Sequence, residues 1–329
     1  MESTIVVEML EKVDRTYTKE EVMSTMEPLI STWFDERFEG LTIPQSKAIP
    51  VIHQRRNVLV SSPTGSGKTL TAFTSIINEL TRYAREGTLE ERVYCIYVSP
   101  LKALANDVNR NLNEPLAQMR ELAEERGMNV PDIRVAVRSG DTPQNERQKM
   151  VRHPPHILIT TPESLALILS APKFSEAFKR VEWVILDEIH DICDSKRGAF
   201  LSLTLERLRN HCENDFVRIG LSATLAPIEA IAAYLVGCNP DGSCRDVALI
   251  ESGSKKKLDL QVICPAADMT TLPSDIVNSM MYDMLKDLID QHETTLVFTN
   301  TRSGAESVVY KLKERGLESV EVHHSSLGK

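Results

Sequence analysis

At 329 residues, the chain is long enough for two domains, or for one large domain and one incomplete domain. Hydrophobic residues make up 42% of it and charged residues 26%, as in an ordinary globular protein, and no apolar run approaches the roughly 18 residues that span a membrane. The net charge of −9 argues against a protein that coats nucleic acid by bulk electrostatics, but it is compatible with a narrow track of contacts.

The six cysteines include no CxxC pair and lie mostly in apolar segments. This pattern predicts buried free thiols in a reducing compartment, rather than a disulfide framework or a structural zinc site. The first residues carry no positively charged segment of the kind that opens a signal peptide. We therefore expect a cytoplasmic protein with no membrane contact. The cysteines are Cys95, Cys193, Cys212, Cys238, Cys244 and Cys264.

Residues 1–40 are predicted to form an N-terminal helical segment, with a capping box that begins at Thr18 and ends at Glu21. Phe38 and Gln45 then precede a glycine-rich turn. An aromatic ring and an amide at this place suit adenine, because the amide can bind the edge of the base with two hydrogen bonds. Core packing is the ordinary explanation for such an aromatic residue, and it stays open as the alternative.

The glycine-rich turn is the most informative stretch of the chain. Its sequence is SPTGSGKT, it follows the apolar run 57–61, and it precedes a helix-forming segment. A turn between a strand and a helix predicts a phosphate cradle, in which backbone N–H groups and the helix dipole face the phosphates. Lys68 would lie between the β- and γ-phosphates and Thr69 would bind Mg²⁺. A flexible turn with an incidental lysine is the alternative. The other cradle residues are Thr64, Gly65, Ser66 and Gly67.

Residues 41–252 alternate between apolar strands and helices, which predicts an α/β fold with a parallel sheet buried on both faces. The predicted strands are 57–61, 93–98, 133–137, 156–160, 181–186 and 217–221, and the clearest helices are 69–86, 102–122 and 198–211. Ligands of such sheets bind beyond the carboxyl ends of the strands. Polar clusters follow five strands there, although each alone could be a helix N-cap.

Asp187 and Glu188 form the cluster that best suits the phosphate cradle. They follow the apolar strand 184–186 directly. An aspartate at a strand end can hold Mg²⁺, and the next carboxylate can orient or deprotonate the attacking water. Adjacent carboxylates are usually plain surface charge, but their place in the same sheet as the cradle favours the catalytic interpretation.

Residues 253–273 are predicted to be a linker with one strand, 258–264. A second α/β domain begins at 274, with helices 274–292 and 303–315 and strands 294–298 and 319–322. It stops at residue 329, within about 70 residues of the linker, whereas a complete domain usually needs about 100.

The ordered motifs resemble those of superfamily 2 helicases, over nearly the whole chain. Within that superfamily, SPLKAL at 99–104, TPES at 161–164 and DEIH at 187–190 followed by SKRG at 195–198 are most similar to the large helicase-related (Lhr) family. Ski-type relatives usually differ at TPES, and DEAD-box proteins differ at His190. The resemblance implies a RecA-like P-loop NTPase fold, followed by the start of a second RecA-like domain.

The resemblance also implies roles for individual residues. Gln45 would bind adenine, and Lys68 would bind the phosphates. Thr69 and Asp187 would hold the Mg²⁺ ion of bound ATP, and Glu188 would be the base. Residues that couple nucleotide state to strand movement would be His190, Ser222 and Thr224. Residues that line the nucleic-acid track would be Pro100, Leu101, Lys102, Thr161, Pro162, Ser195, Lys196, Arg197, Thr301 and Arg302.

The function implied is ATP-dependent translocation on single-stranded or forked DNA, with RNA possible, and duplex unwinding in DNA repair or recombination. The motifs that supply arginines from a complete second domain are expected beyond Lys329. We therefore expect residues 1–329 alone to bind Mg-ATP weakly and to hydrolyse it slowly. A Ski-type or DEAD-like RNA helicase, a translocase without strand separation and an ATP-binding regulatory module stay open as alternatives.

Overall fold

The computed structural model describes residues 10–100, 102–128, 132–223, 227–253, 259–268 and 271–322, with the backbone alone for 102–111. The chain divides into two compact units, Met1–Lys255 and Lys256–Lys329. We describe each unit by itself.

The first unit contains one sheet of eight parallel strands in the order β1-β8-β2-β7-β6-β3-β5-β4. Parallel strands need crossover connections, which the helices between them provide. The strands are β1 Leu10–Lys12, β2 Val58–Ser61, β3 Cys95–Val98, β4 Val135–Arg138, β5 Ile157–Thr160, β6 Trp183–Leu186, β7 Val217–Ser222 and β8 Val247–Glu251.

Ten helices surround this sheet in the described part of the first unit. They are α1 Lys19–Met23, α2 Pro28–Arg37, α3 Ile43–His53, α4 Lys68–Arg85, α5 Lys102–Glu125, α6 Gln144–Arg152, α7 Pro162–Leu169, α8 Pro172–Ser175, α9 Lys196–His211 and α10 Ile228–Val236. Short 3-10 turns follow at Glu176–Phe178 and Ile189–Asp191.

The sheet is buried on both faces, because successive residues of its strands enter different hydrophobic clusters. Tyr97 and Ile185 pack in the cluster that includes residues of α2, α3, α4 and α5. Val98 and Leu186, their neighbours along β3 and β6, pack in the cluster that includes residues of α7, α9 and α10. Side chains of a strand alternate between faces, so a strand covered on both faces reads as a continuous apolar run.

The parallel α/β prediction is confirmed, and all six predicted strands of the first unit form within two residues of the expected bounds. Two strands of the sheet, β1 and β8, were not predicted. The helical prediction for residues 1–40 is wrong at Leu10–Lys12, which pairs in parallel with β8 as an edge strand of three residues. A segment this short shows no alternation in the sequence, and only its partner strand defines it.

The second unit contains α11 Ser274–Asp290 and α12 Arg302–Lys313. The Arg315 guanidinium, just after α12, donates to Asp283 of α11 with Nε and Oδ1 2.7 Å apart. The strands predicted at 258–264, 294–298 and 319–322 are not formed by the described residues of these segments. Strand ladders need a partner, and Leu296 and Phe298 are 78% and 88% exposed.

Two further expectations concern membrane-spanning helices and the burial of the cysteines. No helix in the described ranges combines the length and the apolarity needed to cross a membrane. The prediction of buried cysteines is wrong for Cys238 and Cys264, which are exposed, whereas Cys95 is buried in β3. An apolar neighbourhood in sequence does not ensure burial, because both exposed thiols lie outside the regular elements.

Candidate nucleotide-binding and catalytic site

The predicted cradle lies at the carboxyl end of β2 and leads directly into α4. The Ser62 N–H donates to the carbonyl oxygen of Ser222, at the end of β7, over 3.1 Å. Ser62 and Ser66 are also joined by a hydrogen bond between their hydroxyls. The turn is therefore tied at its base to the central strand beside it.

Glycine is required at two positions of this turn. Gly65 and Gly67 have φ of 78° and 85°, a backbone conformation that side chains disfavour. Gly67 is the N-cap of α4 and offers no side-chain acceptor to the first N–H groups of the helix. These donors carry the positive end of the helix dipole, so they suit a phosphate. Thr64 and Gly65 are exposed on the outside of the turn.

Lys68 is buried beneath the turn and is only 6% exposed. Its ammonium donates to the carbonyl oxygens of Ser62 and Pro63, the latter over 3.3 Å. Burial lowers the pKa of Lys68, and the charges of Glu188 and Asp187 oppose that shift. Lys68 is thus a buried cation whose hydrogen bonds go to carbonyl oxygens and not to a carboxylate. Its positive charge complements the negative charge of a bound phosphate.

Asp187 follows β6 and has a donor on each carboxylate oxygen. The Tyr97 hydroxyl donates to Oδ2, and the Glu188 N–H donates to Oδ1 over 2.9 Å. Burial raises the pKa of Asp187, while the Tyr97 hydrogen bond and Lys68 oppose the shift. Burial raises the pKa of Tyr97 well above its usual value, and the neighbouring Thr69 side chain opposes this shift. Tyr97 thus lies near both predicted Mg²⁺ ligands and donates to one of them.

Sequence reasoning missed Tyr97, although a hydroxyl within an apolar strand was a visible signal. Its ring is fully buried and stacks on Phe73 of α4, with the centroids 5.0 Å apart. β3 pairs with β6, which ends at Leu186, so the hydroxyl reaches the next residue, Asp187. Buried tyrosines usually find a partner for the hydroxyl, but only the sheet order shows which one.

Glu188 adopts the left-handed conformation, with φ of 44° and ψ of 44°. Non-glycine residues held in this region cost free energy and occur often at functional sites. Burial and then the charge of Asp187 raise the pKa of Glu188. One of its carboxylate oxygens lies 3.5 Å from His190 Nδ1.

His190 and Ser222, both predicted to couple nucleotide state to movement, lie together. The Ala223 N–H donates to His190 Nδ1 over 3.2 Å, and the Ser222 hydroxyl lies 3.4 Å from the same atom. The loop after β6 is thereby connected to the end of β7. The third predicted member, Thr224, lies outside the described residues.

Gln45 is 3% exposed and forms a capping box with Thr42 at the start of α3. Its Oε1 accepts from the Thr42 N–H over 2.8 Å, and a Cβ atom at Gly67 would lie 3.5 Å from its Nε2. The amide therefore faces the cradle. Phe38 ends α2 and packs on Phe34, with ring centroids 4.7 Å apart. This packing matches the core alternative, and Phe38 keeps a partly exposed surface.

Three predicted nucleic-acid residues are helix N-caps. The hydroxyls of Thr161, Ser195 and Thr301 accept from the backbone N–H three residues ahead, in α7, α9 and α12. Capping is the ordinary role for these residues. The hydroxyls of Thr161 and Ser195 also donate, to the Ser164 hydroxyl over 3.1 Å and to the Ile192 carbonyl oxygen over 2.7 Å. Pro162 is buried.

Arg197 brings three segments of the predicted track together. Its guanidinium donates to Glu163 at the start of α7 over 2.6 Å, and to the carbonyl oxygen of Pro100 after β3 over 3.0 Å. Pro100 is buried, whereas Lys196 is exposed beside Arg197. Leu101 and the Lys102 side chain lie outside the described residues, and Thr301 and Arg302 are exposed in the second unit.

The site fits Mg-ATP in the chemistry of its groups. It has an uncapped helix N-terminus, a buried cation for phosphates, and a hydroxyl and a carboxylate near Tyr97 for a hard metal ion. Carboxylates with raised pKa values close to a buried lysine are candidates for catalysis.

Comparison with known proteins agrees with this geometry. The profile described as DEAD/DEAH box helicase matches residues 42–231, from the capping residue of α3 into α10. The chain belongs to the DEAD/DEAH box helicase family. The matched range includes both carboxylates, the whole cradle and the His190–Ser222 contact.

Curated relatives support the Lhr resemblance within this helicase family. The chain is 53% identical over 326 residues to "ATP-dependent helicase Lhr-Core" of Methanothermobacter thermautotrophicus, covering 98% of this chain and 38% of the relative. It is 50% identical to "ATP-dependent helicase Lhr-Core protein 2" of Thermococcus barophilus, covering 98% and 37%. The chain thus spans less than two-fifths of the length of these relatives.

A solved helicase structure gives the same result for the fold. The chain aligns with Mycobacterium smegmatis helicase Lhr at 38% identity and a TM-score of 0.78, covering 94% of this chain and 39% of that one. That protein was solved bound to single-stranded DNA and AMP-PNP. The predicted membership of superfamily 2 and the RecA-like fold are confirmed by these matches.

Proposed function

We propose that this chain binds and hydrolyses Mg-ATP and couples hydrolysis to movement on single-stranded DNA and to duplex unwinding, in DNA repair or recombination. The observation that carries the proposal is the group of buried Lys68, buried Asp187 and half-buried Glu188 at the uncapped start of α4. Lys68 is bonded to carbonyl oxygens there, and both carboxylates have raised pKa values. The homologous ATP-dependent helicases support this assignment.

In this proposal the backbone of the cradle binds the phosphates, with Lys68 between the β- and γ-phosphates. Gln45 and the exposed part of Phe38 contact the adenine. Thr69 and Asp187 hold Mg²⁺, which would neutralise phosphate charge when bound. Glu188 orients the attacking water and accepts its proton. The cradle residues are Thr64, Gly65, Ser66 and Gly67.

Nucleotide state would reach the nucleic acid through two contacts. His190 and Ser222 connect the catalytic loop to the end of β7, so a change around the phosphates would move both. Ser195, Lys196 and Arg197 begin α9 five residues beyond His190. Contacts of this kind bind the phosphate backbone without reading sequence, as a translocating motor requires.

Single-stranded DNA is the proposed substrate because the Lhr structure at 38% identity contains it, and RNA is an outcome of the test. We also propose that residues 41–252 are the first RecA-like domain, that 253–273 are a linker, and that 274–329 begin a second domain. Thr301 and Arg302 would contact the strand from there. The cytoplasmic location stays a prediction.

Nucleotide binding, steady-state ATP hydrolysis and strand displacement test the proposal, with single-stranded DNA or RNA of matched sequence. They are measured for this chain and for any longer product of its gene. We expect slow ATP turnover with little stimulation by DNA for residues 1–329, and turnover that rises with DNA for a longer product. In both, turnover is lost in Lys68→Ala, while the variant keeps its circular dichroism spectrum. A Lys68→Ala variant with unchanged ATP affinity would contradict the phosphate site, and stimulation by RNA alone would make the protein an RNA helicase.

Lys196→Ala tests the nucleic-acid track. Lys196 is exposed, whereas Arg197 also bridges Glu163 and Pro100, so only the lysine can be removed without disturbing the fold. Loss of one phosphate contact lowers the salt slope of single-strand binding by about 0.7. Lys179→Ala is the matched control, because this partly exposed lysine precedes β6 and so lies at the amino end of the strands, whereas Lys196 follows β6 at their carboxyl end. Equal slopes in the two variants would exclude Lys196 from the track.

A further inference from the structure

Two cysteines face each other across the hairpin that connects α10 to β8. Cys238 and Cys244 form an isolated antiparallel bridge. The Asn239 N–H donates to the Ser243 oxygen over 2.7 Å, and the Arg245 N–H donates to the Gly237 oxygen over 3.2 Å. Both bonds flank the cysteines, so the cysteines are a non-hydrogen-bonded pair. The Cα atoms of such a pair lie about 4.5 Å apart, with the side chains close together.

This separation suits a disulfide, which needs Cα atoms roughly 4.4 to 6.8 Å apart and Cβ atoms directed at each other. Both cysteines are free, and the neighbouring Cys238 raises the pKa of Cys244. Cys238 is exposed and Cys244 is half-buried. A reagent can therefore reach the first sulfur, and the second sulfur lies beside it.

The hairpin holds this register without help from the cysteines. The Gly242 N–H donates to the Asn239 oxygen over 3.0 Å, and the Ser243 hydroxyl donates to Asp241 over 2.6 Å. Gly237 and Gly242, with φ of 66° and 85°, allow the chain to turn at both places. Beyond the hairpin, the Arg245 guanidinium is fixed to Glu206 over 2.9 Å. Oxidation would thus join two sulfurs that the backbone already holds together.

We propose that Cys238 and Cys244 form a reversible dithiol/disulfide pair that reacts with low-molecular-weight disulfides such as oxidised glutathione. The Cys238 thiolate attacks the disulfide and forms a mixed disulfide, releasing one thiol. The Cys244 thiolate then attacks the Cys238 sulfur, forming the intrachain bond and releasing the second thiol. The pair loses two electrons and two protons, and the small disulfide is reduced to two thiols.

The order of attack follows from the surroundings of the sulfurs. Burial and the neighbouring Cys238 raise the pKa of Cys244, and Cys238 is the more exposed sulfur. The hairpin precedes β8 and so lies at the amino end of the strands, whereas the cradle follows β2 at their carboxyl end. Oxidation should therefore leave ATP binding unchanged. Because it closes a loop in the unfolded chain, it should raise Tm by on the order of 5 °C.

The test equilibrates the purified chain in glutathione buffers of increasing oxidised fraction, followed by acid quenching, alkylation and non-reducing peptide mass mapping. We expect a Cys238–Cys244 link that dithiothreitol reverses. Cys264, exposed in the second unit, should take glutathione as a mixed disulfide under the same conditions and serves as the internal control. In Cys238→Ser and in Cys244→Ser, we expect glutathione on the remaining cysteine and an unchanged Tm.

Two results of this test would contradict the proposed disulfide. If Cys238 and Cys244 each carry glutathione, or both stay free where Cys264 is modified, the pair does not form and the proposal is wrong. Neither readout depends on ATP hydrolysis, so the outcome is independent of the proposed enzymatic function.

Discussion

Two charged clusters of the first unit are neutralised to different degrees. Around the cradle, Lys68 is bonded to carbonyl oxygens, burial lowers its pKa, and the pKa values of Asp187 and Glu188 are raised. Behind β7, Glu206 accepts from Arg218 over 2.8 Å and from Arg245 over 2.9 and 3.0 Å.

The second cluster is satisfied internally. Burial alone would raise the pKa of Glu206, but the hydrogen bonds from Arg245 and Arg218 outweigh it and lower the pKa to about 2. Both arginines are buried, and each also donates to a carbonyl oxygen near the end of α10. The cluster therefore ties α9, α10, β7 and the start of β8 together.

The difference separates a binding site from a structural contact. Charges whose pKa values are shifted toward their neutral forms are destabilised in the folded protein, and a ligand of opposite charge can relieve this. In the second cluster burial also lowers the pKa of Arg218, but that arginine and Glu206 already provide each other with the opposite charge. Three substitutions test the distinction, because each should affect either turnover or stability.

Glu188→Gln should have the largest effect. The variant should keep ATP affinity but lose about 10²- to 10⁴-fold in turnover, since the amide cannot accept a proton. Its Tm at pH 7 should equal or exceed that of the wild type, because a carboxylate with a raised pKa costs stability above that pKa. Single-turnover hydrolysis, nucleotide titration and thermal melting measure the three quantities. Turnover within threefold of the wild type would remove Glu188 from the role of base.

Tyr97→Phe should have a smaller effect on the same site. Without the hydroxyl, Asp187 loses the donor to Oδ2 that orients its carboxylate. Loss of such an orienting partner typically costs about 10- to 100-fold in metal affinity or activity. The decisive readout is the Mg²⁺ or Mn²⁺ concentration at half-maximal nucleotide binding, which should rise.

Tyr94→Phe is the matched control for this substitution. The Tyr94 hydroxyl accepts from the Glu90 N–H over 2.8 Å, just before β3 and away from Asp187. It should lower stability without changing the metal requirement. If both variants needed the same metal concentration as the wild type, Tyr97 would be only a core residue.

Glu206→Gln should leave turnover unchanged and destabilise the fold by about 1–2 kcal/mol at pH 7, a value reduced by the partial exposure of Glu206. A lowered carboxylate pKa stabilises the fold above the unfolded pKa of about 4.3, and this contribution is lost as pH falls toward the folded value of about 2. The difference in Tm between variant and wild type should therefore shrink over that window.

Glu176→Gln, in an exposed ion pair with Lys179, is the matched control for stability and should change Tm little. A Glu206→Gln variant that melts like the wild type from pH 7 down to about 2 would show that this cluster contributes no net stability. Slower turnover with unchanged Tm would instead connect the cluster to the catalytic site.

Much of the fold was predictable, because its signals are local. Strands β2, β3, β5 and β6 are mostly apolar runs, and the cradle lies between a strand and a helix, as its motif requires. Strand β1 and the unpaired segment at 294–298 were mispredicted for one shared reason. An extended segment becomes a strand only where a partner strand lies beside it. Leu10–Lys12 has this partner in β8, whereas the described residues provide none for 294–298, and Phe298 is exposed.

The sequence by itself determined which residues could do chemistry and in what order they occur: the cradle glycines, Lys68, the adjacent carboxylates and His190. Local residue type and spacing were enough for these, since a turn, a helix start and a strand end are defined over a few positions. Only the tertiary structure decided which distant groups meet. The strand order puts β6 between β3 and β7, which brought Tyr97 to Asp187 and His190 to Ser222. The position of α9 brought Glu206 to Arg218 of β7.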